Sequence, residues 1–176
     1  MSIAVAPRAW RPVGYRVEMS MNYAGPARAT VMERAALVVA ATFLLVGILG
    51  FVPGITTHVG DIDFAGHDSG AKLLGIFGVS VLHNIVHLLF GVAGLALGRT
   101  YSGAKSFLIG GGLVYLVLTV YGALIDRDSG ANFIPVNEAD NWLHLGLGLG
   151  MIALGLFTTA LERKHGDYPE PEIQHQ

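Results

Sequence analysis

A stretch without Asp, Glu, Lys or Arg runs from Leu73 to Leu97 and reads LLGIFGVSVLHNIVHLLFGVAGLAL. A helix needs roughly 20 apolar residues to cross the roughly 30 Å hydrocarbon core of a bilayer, and this stretch is long enough. Three more apolar stretches lie at Ala35–Val52, Phe107–Ile125 and Leu143–Leu161. The sequence therefore predicts an all-α membrane protein whose fold is a four-helix transmembrane bundle.

The composition agrees with a chain that lies mostly inside a membrane. Of its 176 residues, 52% are hydrophobic and only 14% are charged, whereas a soluble domain carries about 25% charged residues. There is no cysteine, which excludes disulfides, thiolate metal sites, iron–sulfur clusters and cysteine nucleophiles. Any metal or cofactor must therefore be held by side chains of other types.

The four stretches divide the chain into three predicted parts. Residues 1–30 contain several prolines and no long apolar run, and they are expected to form a flexible cytoplasmic leader. Residues 31–161 are expected to form the four-span membrane domain. Residues 162–176 are polar and proline-containing, and they are expected to form a disordered cytoplasmic tail.

The charged residues between the stretches predict an orientation. Both flanks of the bundle and the connection after the second stretch are basic, as Arg34, Arg99 and Arg163 illustrate. The other two connections are acidic, from Asp61 to Asp68 and from Asp126 to Asp140. Cytoplasmic loops carry an excess of Lys and Arg, so both termini are predicted to be cytoplasmic and both acidic loops external.

Glycines recur at helical spacing in the second and fourth stretches. Gly91, Gly94 and Gly98 share one helix face, and Gly146 and Gly150 form a small-xxx-small pair. Such residues let two helix backbones approach closely. Tight packing within one bundle is the favoured interpretation, and self-association through these faces is the alternative.

Histidines lie inside two apolar stretches, where a polar ring is rare enough to indicate a site. His83 and His87 share a helix face at the spacing that lets two imidazoles bind one metal. A zinc protease would carry a glutamate after the first histidine as general base. Here that residue is Asn84, an amide that cannot take a proton. No catalytic residue is predicted, and we expect the protein not to be an enzyme.

Two interpretations of the histidines stay open. In the first, His83, His87 and His144 bind a cofactor such as haem, chlorin or a divalent metal. A start of the second span near Gly75 would put His83 about 12 Å below the outer edge, at 1.5 Å per residue. His144 would lie only a few residues into its span unless that span began near Glu138. This difference in depth disfavours a haem held between them.

The favoured interpretation is a structural polar network with no cofactor. Polar side chains between membrane helices stabilise their packing by about 0.6 kcal/mol per hydrogen bond. We expect Tyr115 or Thr119 to bind the polar groups of the second span, and Asn141 or Asp140 to bind His144. The predicted network comprises His83, Asn84, His87, Tyr115, Thr119, Asn141 and His144.

The first acidic loop supports a weaker hypothesis of a metal site. His58, Asp61, Asp63 and His67 lie close together in the sequence, and imidazole and carboxylate groups are ligands for divalent metals. A solvated acidic loop explains the same residues through the orientation rule alone and is the favoured interpretation.

Several motifs resemble those of domain-of-unknown-function family 4383. The most specific are VLHNIVHLLFG from Val81 to Gly91 and DNWLHLG from Asp140 to Gly146. Others are GFVPGIT from Gly50 to Thr56 and ANFIP from Ala131 to Pro135. The resemblance covers about Arg34–Leu161. It implies a four-span protein of a bacterial membrane and implies no activity.

Together these features favour a non-enzymatic accessory or scaffold subunit in the bacterial cytoplasmic (inner) membrane. Its expected partners are the lipid bilayer and either a larger membrane complex or a second copy of the chain. No nucleic-acid-binding module is present in the sequence, so nucleic acid is not an expected partner. A haem-, pigment- or metal-binding membrane protein is the alternative, and a small transporter is the third possibility.

Overall fold

The computed structural model describes residues 29–165 and is mostly helical. Most of the predicted leader and tail lies outside these residues. A short 3₁₀ turn at Val59–Asp61 follows the first strand. The helices and strands, in chain order, are α1 (Val31–Leu49), β1 (Thr56–Thr57), β2 (Lys72–Leu73), β3 (Phe77–Gly78), α2 (Val81–Leu97), α3 (Tyr101–Leu124) and α4 (Glu138–His165).

The helices identify a membrane protein by their length and composition. Within residues 29–165, three helices are long and apolar enough to cross a bilayer, namely α1, α3 and α4. The remaining helix, α2, is equally apolar but has only 17 residues. At 1.5 Å per residue it is about 26 Å long, slightly less than the hydrocarbon core of a typical bilayer.

The predicted start of the second span at Leu73 is wrong. Leu74 and Gly75 form the turn between β2 and β3, with φ angles of 54° and 72°. This left-handed backbone conformation cannot continue a right-handed helix. The helix begins after Ser80, whose side chain accepts a hydrogen bond from the backbone N–H of His83. His83 therefore lies in the first turn of α2.

The fourth helix is longer than its apolar stretch. Its first turn is closed by a reciprocal pair of hydrogen bonds between Asn137 and Asp140, each side chain accepting from the backbone N–H of the other at 3.0 Å. This pair is a capping box, so α4 begins at Glu138 and not at Leu143. The helix also continues to His165. The predicted tail is therefore helical over residues 162–165.

The helices pack in two closely associated pairs, α1 with α2 and α3 with α4. Glycine makes both pairings close. A Cβ atom added to Gly94 would lie 2.7 Å from the Cβ of Ala40, and one added to Gly112 would lie 2.7 Å from the carbonyl oxygen of Gly148. The predicted packing within one bundle is confirmed at Gly94, and Gly112 is a further close approach that was not predicted.

The α1–α2 connection, residues 50–80, folds over the start of α2. Its three strands form an antiparallel sheet in the order β1-β2-β3. The backbone carbonyl groups of Asp63 and Phe64 accept hydrogen bonds from Val81 and Leu82 at the start of α2. These bonds satisfy N–H groups that have no partner within the helix. The connection therefore lies where a longer second helix would have continued.

Candidate functional site

Three histidines from α2 and α4 come together in the bundle, and we call His83, His87 and His144 the histidine cluster. The rings of His83 and His87 stack with their centroids 4.7 Å apart and their planes 23° from parallel. The ring of His144 lies 6.4 Å from that of His83. His83 and His144 are each only 5% exposed.

The expected difference in depth between His83 and His144 is wrong. His83 is the third residue of α2, whereas His144 is the seventh residue of α4. Both helices begin at the end of the bundle that carries the α1–α2 and α3–α4 connections. At 1.5 Å per residue, the two rings can meet only if α4 extends about 6 Å further toward that end than α2 does. The late start of α2 and the early start of α4 provide this offset. The depth objection to a shared ligand therefore no longer holds.

His83 is held by the α3–α4 connection rather than by α3. Its Nδ1 atom lies 3.2 Å from the backbone carbonyl oxygen of Pro135. A carbonyl oxygen only accepts, so Nδ1 donates this hydrogen bond. Thr119, one of the predicted partners, instead donates its hydroxyl hydrogen bond to the backbone carbonyl of Tyr115.

Several polar atoms near the cluster have no hydrogen-bond partner among the described residues. They are both side-chain polar atoms of Asn84, the Nδ1 atoms of His87 and His144, and Oδ1 of Asn141. These atoms of Asn84, His87, His144 and Asn141 therefore do not form the hydrogen bonds that were predicted for their side chains. A buried polar group without a partner costs about 1–3 kcal/mol. Such groups call for an explanation other than helix stabilisation.

Aromatic contacts replace the predicted hydrogen bonds. Phe43 of α1 stacks on His87, with centroids 5.9 Å apart, and on Tyr115, with centroids 5.4 Å apart. The ring of Tyr115 also meets that of His144 edge to face at 5.1 Å. The histidine cluster is thus packed against aromatic rings of α1 and α3, so that all four helices contribute a ring to this region.

A cavity of about 370 Å³ lies against the histidine cluster. This volume falls within the range of about 300–1,000 Å³ that is usual for small-molecule sites. Its walls are formed by α1, α4, the start of α2 and the β2–β3 turn. The two helices that form its long sides, α1 and α4, contact each other much less than either contacts its closely associated neighbour. The cavity is therefore a lateral gap in the bundle.

Glycine makes room for this cavity on α4. Gly146 and Gly150 both line it. A Cβ atom added to either residue would meet no atom within 4 Å. This small-xxx-small pair is therefore not used for packing within the described part of the chain, unlike Gly94 and Gly112. It leaves two positions on the α4 wall of the cavity without a side chain.

The lining of the cavity is apolar apart from the histidine cluster, Thr42 and Asp140. No Lys or Arg is among the described residues that line it. Asp140 is tied down by the backbone, because its Oδ2 atom accepts hydrogen bonds from the N–H groups of Gly78 and Asn137. The charge that faces the cavity is therefore negative and is carried by Asp140.

The metal ligands predicted in the α1–α2 connection do not come together. Among residues 29–165, no group of three or more His, Asp or Glu side chains is arranged to hold a metal ion. That result covers His58, Asp61, Asp63 and His67, and it covers the histidine cluster as well. His67 instead lies 3.4 Å from Asp68.

The chain has been compared with curated proteins and with solved structures, and neither comparison gives a match. A family model described as Domain of unknown function (DUF4383) matches residues 33–157. This range contains the whole histidine cluster and the cavity. Because the match covers more than half of the chain, the protein belongs to the DUF4383 family.

Proposed function

We propose that this protein is a four-span, non-enzymatic protein of the bacterial cytoplasmic membrane that binds a lipid-soluble molecule. The binding site is the lateral cavity beside the histidine cluster. The observation that carries this proposal is an apolar cavity on which the three histidines and Asp140 converge. Apolar walls with a few convergent polar groups are typical of ligand sites.

The packing of α2 supports four spans. Helix α2 packs against α1, which is long enough to cross a bilayer, and only a short link separates α2 from α3. A helix in that position, about 26 Å long, nearly matches the hydrocarbon core. The folded α1–α2 connection lies over the first turn of α2 and occupies the part of the hydrocarbon thickness that α2 does not span.

The charges support cytoplasmic termini. The start of α1, the α2–α3 link and the end of α4 are basic, as Arg34, Arg99 and Arg163 show, whereas the other end of the bundle carries Asp61 and Asp126. The positive-inside rule assigns the basic end to the cytoplasm.

Labelling of single cysteines tests this orientation cleanly, because the chain contains no cysteine of its own. Arg99→Cys and Asp128→Cys place a thiol at exposed positions on opposite ends of the bundle. We expect an impermeant maleimide added to intact cells to label Asp128→Cys and not Arg99→Cys. The reverse pattern, or equal labelling of both, would contradict the proposed topology.

Ligand binding is tested by extracting the protein in a mild detergent and analysing the bound lipids by mass spectrometry. We expect one apolar molecule to be enriched over the bulk lipid at about one per chain, as for a single pocket. Gly150→Leu fills the cavity and should remove it. Gly110→Leu is the matched control, since Gly110 also has no atom within 4 Å of an added Cβ but lies on α3, outside the cavity. Equal enrichment in both variants would contradict the proposal.

A haem or chlorin is a second candidate, favoured by the geometry of two rings. The ring centroids of His83 and His144 lie 6.4 Å apart, and a neutral imidazole can bind a metal centre through one nitrogen. A Soret or chlorin band in the purified protein that disappears in His83→Ala would support it. An accessory or scaffold role is compatible with either ligand. A partner helix seated in the cavity would appear as a co-purifying protein that is lost in Gly150→Leu.

A further inference from the structure

The shape of the cavity favours a ligand with a long chain. Its lining on α4 extends from Asp140 to Leu154. At 1.5 Å per residue this distance is about 21 Å, more than half of the hydrocarbon thickness. Gly146 and Gly150 leave two positions without a side chain along the middle of this length, between lining residues such as Leu143 and Leu154. A compact ligand would fill only part of such a gap, whereas an extended chain would fill all of it.

The histidine cluster provides flat surfaces at one end of the cavity. Phe43 stacks on His87 and His87 stacks on His83, with the planes of each pair within 23° of parallel. All three residues line the cavity. Aromatic rings bind other flat rings in offset-stacked or edge-to-face arrangements. These rings turn faces toward one another, so a planar head group at this end would meet them edge to face.

The charges of the lining select a neutral head group. The described lining contains no Lys or Arg to pair with a phosphate or a carboxylate. It does contain the carboxylate of Asp140, which would repel either one. Burying an unpaired anion beside another anion is costly. Phospholipids and fatty acids are therefore poor occupants.

The polar atoms of the cluster call for carbonyl or hydroxyl groups on the head. A hydroxyl can donate a hydrogen bond to the unprotonated nitrogen of a neutral imidazole. Each neutral imidazole also carries one N–H, which a carbonyl oxygen can accept. His83, His87 and His144 all line the cavity, although the Nδ1 atom of His144 is itself buried. A head group with oxygen atoms would give these rings hydrogen-bond partners.

We propose that the cavity binds an isoprenoid quinone or its quinol. The quinone ring lies against the histidine cluster, and the isoprenoid tail runs along Gly146 and Gly150 between α1 and α4. This inference rests on the proposed function, since it names the chemistry of the lipid-soluble ligand. No electron transfer is part of it, and the chain's role is to hold the molecule.

The test uses menaquinone-4 as the probe and squalene, an isoprenoid chain without a head group, as the competitor. Full-length protein is freed of bound lipid, loaded in detergent and passed over a sizing column. Bound quinone is measured by its absorbance. We expect saturable binding of about one quinone per chain that excess squalene does not displace.

Two variants locate the binding. His144→Leu keeps the volume of the cavity wall but removes its polar atoms, and it should weaken quinone binding about tenfold, the cost of a hydrogen bond to a buried group. Gly150→Leu should abolish binding, and Gly110→Leu should not change it. Each variant must elute as a single sharp peak, and the competition with squalene on the unaltered protein does not depend on any variant.

The outcomes separate this inference from the proposed function. If squalene displaces quinone freely and His144→Leu binds quinone normally, the head group is not recognised and the quinone inference is overturned, while the cavity remains a lipid site. If haem binds and displaces quinone, the inference is also overturned. If neither quinone nor squalene binds and Gly150→Leu has no effect, the proposed function falls with it.

Discussion

The carboxylate of Glu162 accepts a hydrogen bond from the backbone N–H of Met32, with 3.1 Å between Oε1 and the nitrogen. Glu162 is only 2% exposed. Its partner lies in the first turn of α1, whose N–H groups have no acceptor within the helix. Thr30 and Glu33 form a capping box at the same helix start. The end of α4 thus completes the cap of α1 and joins the first and last helices.

Replacing Glu162 with leucine should destabilise the protein by about 1.5–3 kcal/mol, because a buried charged acceptor is lost and the N–H of Met32 is left without a partner. Glu162→Gln keeps an acceptor oxygen and should cost less. Thermal unfolding in detergent, followed by circular dichroism, measures both. Equal stability of Glu162→Leu and the unaltered protein would show that this cap contributes nothing.

Replacing Asp140 with alanine should loosen the α1–α2 connection. The variant loses the hydrogen bonds from the N–H groups of Gly78 and Asn137, at a cost of about 1–3 kcal/mol. We expect faster proteolysis within residues 50–80 and a lower melting temperature. Glu138→Ala, at an exposed neighbouring position, is the control and should behave like the unaltered protein. Identical digestion of both variants would refute this role.

Replacing Gly112 with alanine should separate α3 from α4. The added Cβ would lie 2.7 Å from the carbonyl oxygen of Gly148, and a backbone atom cannot move aside as a flexible side chain can. Overpacking of this kind costs about 1–3 kcal/mol. Gly110→Ala, two residues away on the same helix, meets no atom within 4 Å and should be neutral. The two melting temperatures decide the matter, and a stable Gly112→Ala would contradict the close approach.

Removing divalent metal should leave the stability of the protein unchanged. Within residues 29–165, no group of three or more His, Asp or Glu side chains is placed to hold one metal ion. We therefore expect the melting temperature to be the same with and without EDTA, and the same in His67→Ala. A fall in melting temperature on chelation that added Zn²⁺ or Ca²⁺ reverses would instead support the metal hypothesis.

Hydropathy predicted the existence of four helices but not all of their ends. Apolar length alone placed the start of the second span at Leu73, since that residue begins an unbroken uncharged run. The backbone conformation of Leu74 and Gly75 decides otherwise. A positive φ at a leucine leaves little signal in a single sequence, whereas the Asn137 and Asp140 pair at the start of α4 was visible as cap-forming residue types.

The sequence predicted the three histidines of the candidate site but not the hydrogen bonds that they form. Spacing identified His83 and His87, and position in an apolar stretch identified His144. The hydrogen-bond partner of His83, however, is the backbone carbonyl of Pro135. Every residue other than the prolines carries the same N–H and every residue carries a carbonyl, so no side-chain pattern reveals which one will meet a given ring. For the same reason the cap formed by Glu162 on Met32 was not predicted.

The sequence by itself determined that this chain folds as apolar helices with histidines among them, because local composition and spacing set hydropathy and helix faces. It also determined which glycines could permit close approach. Only the tertiary structure decided how those glycines are used, with Gly94 and Gly112 packed against neighbours and Gly146 and Gly150 lining a cavity. Glycine has no side chain that would select a neighbour. The arrangement of the helices therefore decides whether another residue fills the space beside its Cα.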